Sequence, residues 1–457
     1  MRVETVDPAT GRATGYYETM PDEEVLAVAA RVKGAQRAWR DAPLEERAGR
    51  IGHLAAVLRA RLEDHARLIA REMGKPIVEA RAEVEKCAWL CEVYAGNAAA
   101  WLAEESVSAD GRRHVVALEP LGVVLSVMPW NFPFWQAFRF AVPAVLAGNG
   151  VVLKHASNVP GCARAIEGAF ADAAFPRHLL RTVFADHASV ARLAMDDLIA
   201  GVSLTGSTEA GARLAETAGR ALKKVVLELG GSDPFIVLDD ADIEIAARNA
   251  VKGRTLNAGQ SCIAAKRFIV ARPLAAEFTA RLGELMAALA VGDPLDERTQ
   301  VGPLVSGTAL AEVAAQVEDS VALGARVVTG GGRLERPGFF FAPTVLSEVT
   351  PQMRVAREEV FGPVAPVIVV DGDAEAVAAA NATEFGLGAS VWTRDLARGE
   401  RVARRIEAGA TFVNSIVKSD PRMPFGGVKK SGIGRELSHY GLREFVNVKG
   451  ISVYDHA

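Results

Sequence analysis

The sequence predicts an α/β protein built on two parallel-sheet units, with a small β arm set apart from both. Three observations carry this reading. Between Gly122 and Leu229, short apolar strands without polar alternation are joined by helix-like runs, the pattern of a parallel sheet covered on both faces. From Pro234 to about Ser415 a second series of the same kind follows. At 457 residues the chain also exceeds what one ordinary core organises.

Taken in order, Asp22 to Ala103 shows apolar residues at three- and four-residue spacing in long Ala-, Leu-, Arg- and Glu-rich runs. It is predicted helical, punctuated at Pro43, Gly74-Lys75-Pro76 and Gly96. Ser106 to Glu119 turns β-like around His114–Leu118, an excursion from the main body. Gly122 to Val127 is an apolar strand, followed by the Met128–Pro133 loop and a helix to about Leu146. Gly150 to Lys154, Arg181 to Phe184, Gly201 to Leu204 and Val225 to Leu229 complete the first sheet. Dinucleotide folds are built this way, but no GxGxxG fingerprint follows any of these strands, so phosphates would have to be held otherwise. The second series reads PFIVL, KRFIVA, ARVVTG, PVIVV and ATFVNS, with helices between. The tail, Pro424 to Tyr454, carries glycines at 426, 427, 432 and 434, then a β-like Phe445 to Val453.

Half the residues are apolar and about a quarter charged, as in globular enzymes. A net charge of −4 gives no basic footprint, which argues against a nucleic-acid partner. No signal peptide is visible in MRVETVDPATGR, and the apolar stretch from Val115 to Trp135 is broken by Glu119, Pro120, Pro129, Asn131 and Pro133, so no membrane span is expected. Four cysteines do not make a disulfide framework, and the expectation is a reduced, cytoplasmic protein. Cys87 and Cys91 lie i, i+4 with no Cys or His cluster nearby to complete a metal site; they and Cys162 are read as core-facing thiols, and no metal is expected.

One cysteine offers chemistry. In Asn257-Ala258-Gly259-Gln260-Ser261-Cys262 a thiol follows a Gly-containing turn, between a helix-like run (Asp242 to Leu256) and a strand-like run (Lys266 to Ala271). Gly259 permits close or unusual backbone approach, which would present the thiol at the mouth of a cleft. A thiolate there is a strong nucleophile towards a carbonyl carbon, whereas most free cysteines are small buried hydrophobes. On these six residues alone the buried reading is preferred.

The company upstream and downstream shifts that balance. Pro129-Trp-Asn-Phe-Pro133, Lys154, Thr205-Gly-Ser207, Glu228-Leu-Gly-Gly231, Gly259-Gln-Ser-Cys262, Glu359-Val-Phe-Gly-Pro363 and Pro424-Phe-Gly-Gly427 together resemble the aldehyde dehydrogenase superfamily, in order and over essentially the whole chain. Within it, Lys418-Ser-Asp-Pro-Arg422 and Gly434-Arg-Glu-Leu-Ser-His-Tyr-Gly441 look most like the bacterial succinic semialdehyde dehydrogenases. The resemblance implies a Rossmann-like NAD(P)-binding domain over 1–102 and 121–230, an α/β catalytic domain over 231–430, and an oligomerisation arm and tail over 103–120 and 431–457. It also implies that the arm and the C-terminal strand pair across subunits, making a homodimer or homotetramer.

The resemblance assigns roles that the chemistry requires. An aldehyde has no hydride ready to leave until a nucleophile adds, so Cys262 would form a thiohemiacetal. The Asn131 amide and the Cys262 backbone N–H would hold its oxyanion. After hydride transfer a thioester remains on Cys262, and Glu228, which ends an apolar strand before two glycines, would activate the water that cleaves it. For Asn131 the plainer alternative is turn-making between prolines; for Glu228 it is an N-cap or ion pair. By resemblance Trp130 and Leu229 would line the cofactor crevice, Lys154 and Ser157 would meet the adenine ribose, and Gly206 and Ser207 would meet the pyrophosphate ahead of a helix beginning near Thr208. Glu359 would hold the nicotinamide ribose with Phe361 beside the ring. Many NAD-using relatives carry a glutamate three residues after the lysine. This chain has Ser157 there, so NADP is expected to be preferred and NAD accepted more weakly.

Arg139 sits four residues after Trp135 on an otherwise apolar helix, where a guanidinium is costly unless an anion answers it. That anion is either a substrate carboxylate or a Glu from a neighbouring helix. Trp135, Arg139, Ser261 and Ser419 are the expected substrate residues, and succinic semialdehyde the expected substrate, with glutaric semialdehyde and other short aldehydes next. A branch passing the acyl group to coenzyme A lacks the water-activating carboxylate, so Glu228 argues against it. Intact Cys262, Glu228 and Asn131 argue against a catalytically silent relative.

Overall fold

The computed structural model describes residues 2–455. Among them, the strands form four sheets. The first large sheet runs, edge to edge, Gly432–Ile433, Lys224–Glu228, Ile199–Thr205, Val123–Met128, Gly150–His155 and Leu180–Thr182. All pair in parallel except the two-residue edge strand Gly432–Ile433. The chain reverses direction across the sheet between Val123–Met128 and Ile199–Thr205, and ligands bind outside the carboxyl ends of strands at such a switch point. The Pro129–Pro133 loop and the Thr205–Ser207 turn flank that crevice, with Lys154 and Glu228 ending the strands on either side.

The second large sheet runs Arg326–Thr329, Thr344–Ser347, Val364–Val370, Ala265–Ala271, Asp233–Val237, Gly388–Trp392 and Ala410–Val413, parallel except for its first strand. Every residue of Asp233–Val237 and Ala265–Ala271 is buried, which explains their continuous apolar runs. The expected Asp22–Ala103 stretch is four helices, Asp22–Arg40, Leu44–Ala60, Leu62–Met73 and Ile77–Trp101. Gly96 does not break the last of them, because an isolated glycine costs a helix only about 1 kcal/mol. The helix Pro133–Leu146 is buried along all 14 residues. Cys87, Cys91 and Cys162 have no exposed surface, as expected of core thiols.

Three elements lie outside the sequence expectation: an antiparallel hairpin, Arg2–Asp7 with Arg12–Glu18, and the strands Thr344–Ser347 and Gly388–Trp392. The hairpin is mostly exposed and polar, and the two strands are short and rich in small residues, so neither carries a strong period. The arm needs a correction. Val446–Val453 pairs antiparallel with Arg113–Pro120 within the same chain, over eight residues, with Glu105–Val107 on the far side. The pairing closes locally because Phe445 packs edge-on against Phe140 at 5.2 Å and its carbonyl accepts from Asn149 Nδ2 at 2.9 Å, delivering the tail beside the arm.

Candidate active site

The Asn257–Cys262 loop is built from strained backbone that its surroundings hold. Asp242 caps the helix Ile243–Thr255, and the chain then passes through three left-handed residues, Asn257 (φ 55°), Ala258 (φ 54°) and Gly259 (φ 76°). A left-handed alanine costs roughly 1–2 kcal/mol. At Gly259 a side chain is impossible as well as strained, since a Cβ would stand 2.3 Å from the Gly362 carbonyl oxygen. Buried polar groups overdetermine this path. Glu79 Oε2 accepts from the Asn257 N–H at 2.7 Å, and Asn257 Nδ2 donates to the carbonyls of Asn131 (2.7 Å) and Gln260 (3.1 Å). The fully buried Arg254 donates to the carbonyls of Gly259, Ala265 and Val360. Lys266, also fully buried, donates to the carbonyls of Ser261 (2.8 Å) and Cys262 (2.7 Å).

Cys262 is half-buried, and burial pushes its thiol up to about 12. Arg139 and Lys266 pull it down, while Glu359 and Glu228 push it up. In this state the thiol holds its proton at neutral pH. Asn131, tied to the loop by donating to Gln260 O at 3.1 Å, keeps a second amide N–H.

Glu228 is 2 % exposed, and neither of its carboxylate oxygens has a hydrogen-bond partner. Burial raises it well above the ordinary carboxylate range; Arg139 opposes this, Glu436 reinforces it, and Arg435 opposes it. A Cβ on Gly426 would lie 2.7 Å from Glu228 Oε1, so a glycine there leaves the carboxylate its room. Arg139, 1 % exposed, is answered inside the protein. It is ion-paired with Glu436, lies 4.0 Å from Glu228, and reaches Thr205 Oγ1 at 3.5 Å. The partner is not on a neighbouring helix but in the extended segment before the short helix Ser438–Leu442.

In the crevice, Trp130 meets Phe361 edge-on at 5.8 Å. Glu359 accepts from the Gly231 N–H at 3.1 Å and lies 3.2 Å from Lys266. Lys154 is a half-buried cation with no carboxylate partner among the described residues, and burial lowers its pKa. Ser157 is exposed, and its carbonyl accepts from the Tyr17 hydroxyl at 2.8 Å. Ser207 is the N-cap of the helix Thr208–Arg220, accepting from the Ala210 N–H, and Gly211 of that helix is close enough to Leu229 that a Cβ would meet its side chain at 2.5 Å. Lys154 and the start of the helix Thr208–Arg220 both lie at the carboxyl ends of strands of one sheet, a setting that fits a phosphate-bearing dinucleotide.

A cavity of about 720 Å³ is lined by Trp135, Arg139, Ser261 and Ser419 together with Cys262. Asn131 and Glu228 are not among its lining residues. The helix Ile77–Trp101 adds three residues that sequence reasoning missed, Glu79, Glu83 and Lys86. Glu83 pairs with the buried Lys75 and accepts from the N–H groups of Phe134 and Trp135 at 2.9 and 3.0 Å, capping the helix that carries Arg139. Lys86 donates to Ser419 Oγ at 2.7 Å. A signal was present: Glu83 falls on the stripe shared by Ile77, Ala80, Cys87 and Cys91. Among the described residues no group of three or more His, Cys, Asp or Glu could hold a metal, and no helix is long and apolar enough to cross a membrane.

The pattern of the aldehyde dehydrogenase family matches residues 1–451. The chain belongs to the aldehyde dehydrogenase family. Among its relatives, a probable NADP(+) succinate-semialdehyde dehydrogenase of Synechocystis is 48 % identical over 451 residues, 99 % of each chain. An NAD(P)+ succinate semialdehyde dehydrogenase of Escherichia coli K12 is 45 % identical, covering 98 % of this chain and 97 % of its own. Among solved structures, succinic semialdehyde dehydrogenase from Streptococcus pyogenes in complex with NADP+ superposes with a TM-score of 0.96 at 36 % identity, covering 99 % of this chain and all of that one. In this aldehyde dehydrogenase Cys262 is half-buried, whereas Cys87, Cys91 and Cys162 are buried in the core.

Proposed function

We propose that this aldehyde dehydrogenase oxidises succinic semialdehyde to succinate, with NADP preferred over NAD. The observation that carries the reading is the setting of Cys262: a thiol on the wall of a cavity that also presents cations and hydroxyls, with a hydrogen-bond-free carboxylate acting on it electrostatically. The full-length similarity to succinate-semialdehyde dehydrogenases supports the choice of aldehyde. Cys262 gives up its thiol proton to solvent as Sγ adds to the aldehyde carbon, and the free N–H of Asn131 holds the oxyanion. Bound in the crevice, the nicotinamide supplies the hydride acceptor. Lys154 and Ser157 hold the ribose end of the cofactor, Gly206 and Ser207 its pyrophosphate, and Glu359 the nicotinamide ribose, with Trp130, Leu229 and Phe361 as walls. Glu228 takes the proton from the water that cleaves the Cys262 thioester, returning the thiol and releasing the acid.

Initial rates over an aldehyde panel, with both cofactors, test the reading. Succinic semialdehyde with NADP should give the highest kcat/KM, and a higher value for glutaric semialdehyde or a neutral aldehyde would overturn the substrate. We also infer a homodimer or homotetramer, using the solvent-facing edge of Val446–Val453, where Val448 is 63 % exposed. The four free thiols support a reducing, cytoplasmic setting.

A further inference from the structure

We propose that Glu79 and Glu83, one turn apart on the helix Ile77–Trp101, are positioning residues that hold the two sides of the oxyanion site in register. The proposal rests on the roles given above to Asn131 and Cys262 and goes beyond them.

Glu83 governs the Asn131 side. The first N–H groups of a helix have no partner within it. In the helix Pro133–Leu146 the first residue is a proline, and the preceding Phe132 supplies no side-chain cap. The N–H groups of Phe134 and Trp135 are taken instead by one oxygen from another helix, Glu83 Oε1, at 2.9 and 3.0 Å. The other oxygen of Glu83 pairs with Lys75, whose ammonium lies 3.7 Å from the centre of the Phe132 ring. Lys75 has no exposed surface and Glu83 is 4 % exposed, so neither can exchange its partner for water. One buried pair thus grips Phe132, Phe134 and Trp135, and Asn131 is the residue immediately before them. Where this helix starts therefore decides where the Asn131 amide stands.

Glu79 governs the Cys262 side. Its Oε2 accepts from the Asn257 N–H at 2.7 Å, at the first of the three left-handed residues of the Asn257–Cys262 loop. The two sides also bond to each other, since Asn131 and Asn257 both donate to Gln260 O at 3.1 Å and Asn257 donates to Asn131 O at 2.7 Å. Those bonds tie one loop to the other but to no fixed frame. The two carboxylates supply the frame, because i, i+4 residues stand about 6 Å apart along a helix axis. Hydrogen bonds to an ionised acceptor are also the stronger kind. An oxyanion site works through donors already in place, and a 1 Å misplacement can cost about 100-fold.

The test separates the acceptor from the charge. Lys75→Met/Glu83→Leu removes both partners together and leaves no lone buried charge, whereas Lys75→Met/Glu83→Gln does the same but keeps an oxygen for the two N–H groups. The leucine form should lose about tenfold or more in kcat. Succinic semialdehyde and butanal, equal in chain length but neutral, should suffer alike, because the oxyanion forms at the reacting carbon. The glutamine form should recover most of the loss, and a glutamine form as slow as the leucine form would overturn the assignment. In an Asn131→Ala background the leucine exchange should cost less than about threefold, since the amide it positions is gone. An equal cost in both backgrounds, or a leucine form at full kcat, would overturn the assignment. Alkylation of Cys262 by iodoacetamide forms no oxyanion and should keep its wild-type rate in the leucine form; a loss parallel to that in kcat would also overturn it. Should the leucine form not fold, Glu79→Ala decides. It should lower kcat by about tenfold or more, with Glu79→Gln recovering most of that, and Glu79→Ala at full kcat would overturn the role. Asn131→Ala alone should lose about 100-fold or more. A fully active Asn131→Ala would sink the reading of Asn131 and this inference with it, whereas an impaired Asn131→Ala beside an unimpaired leucine form would sink this inference alone.

Discussion

Lys266 and Glu359 form an ion pair at 3.2 Å, and the same ammonium donates to the carbonyls of Ser261 and Cys262. The carboxylate assigned to the nicotinamide ribose is thus also the counter-ion of the cation that holds the Cys262 loop. Lys266 draws the thiol towards ionisation and Glu359 opposes it. In the cofactor-free protein at fixed alkaline pH, Lys266→Met should slow alkylation of Cys262 by iodoacetamide, and Glu359→Gln should speed it. The reverse order would mean that the pair does not govern the thiol.

Division of labour between nucleophile and base gives the second expectation. Cys262→Ala should abolish turnover. Glu228→Gln should still form the acyl-enzyme and give a stoichiometric burst of reduced cofactor, then stall, because the base is assigned to deacylation. A Glu228→Gln protein at full steady-state rate would refute that role.

Arg139 now carries a different expectation from the one its sequence position suggests. Offsetting the charges of Glu228 and Glu436, it should matter to every substrate. Arg139→Met leaves two buried carboxylates uncompensated, which pushes Glu228 further up and should move the pH profile of kcat to higher pH. Both succinic semialdehyde and butanal should suffer, and the protein should lose about 3–5 kcal/mol of stability by urea unfolding. A loss confined to succinic semialdehyde would return Arg139 to the substrate.

These corrections show what was legible in the chain. The strands carrying Lys154, Thr205 and Glu228 read plainly, because buried parallel strands leave continuous apolar runs and their carboxyl ends must face one crevice. Arg139 was recognisable as a cation demanding an anion. That Glu436, 297 residues on, supplies it depends on the tail folding back over the helix, which no local pattern encodes. Glu79 and Lys86 were hidden for another reason: they sit in a run of Glu, Arg and Lys that reads as an ordinary solvated face.

His155 links the oxyanion loop to the cofactor strand and supplies a pH test. Its Nε2 donates to the Pro133 carbonyl at 2.8 Å while Nδ1 accepts from the Ala156 N–H at 2.9 Å, an arrangement only the neutral ring satisfies. Burial pushes its pKa down to about 4, against an ordinary 6.5. The unfolded chain binds the proton first, so this stabilisation is full above about pH 6.5 and is lost as pH falls to about 4. It amounts to roughly 3 kcal/mol. In urea unfolding, His155→Leu should be less stable than wild type at pH 7.5, with the gap closing by pH 4. A gap independent of pH would show that His155 does not titrate as its contacts require.

Cofactor choice turns on position 157. A carboxylate there would repel a ribose 2′-phosphate, whereas Ser157 offers a small hydroxyl donor three residues after Lys154, a half-buried cation with no carboxylate partner among the described residues. The turn is fixed as well: the Tyr17 hydroxyl donates to the Ser157 carbonyl, and Tyr17 itself packs on Phe184 at 5.1 Å. The N-terminal hairpin that holds Tyr17 therefore sets the direction in which the serine side chain leaves the backbone. Single-group discrimination of this kind is worth roughly 1–3 kcal/mol, so kcat/KM should favour NADP by about ten- to two-hundred-fold. Ser157→Glu should reverse the preference by adding the repelling charge, and Tyr17→Phe should narrow the NADP advantage without abolishing it, since only the anchoring of the turn is lost. Equal kcat/KM values for the two cofactors in the wild type, or a Ser157→Glu protein that still favours NADP, would show that the selecting charge lies elsewhere.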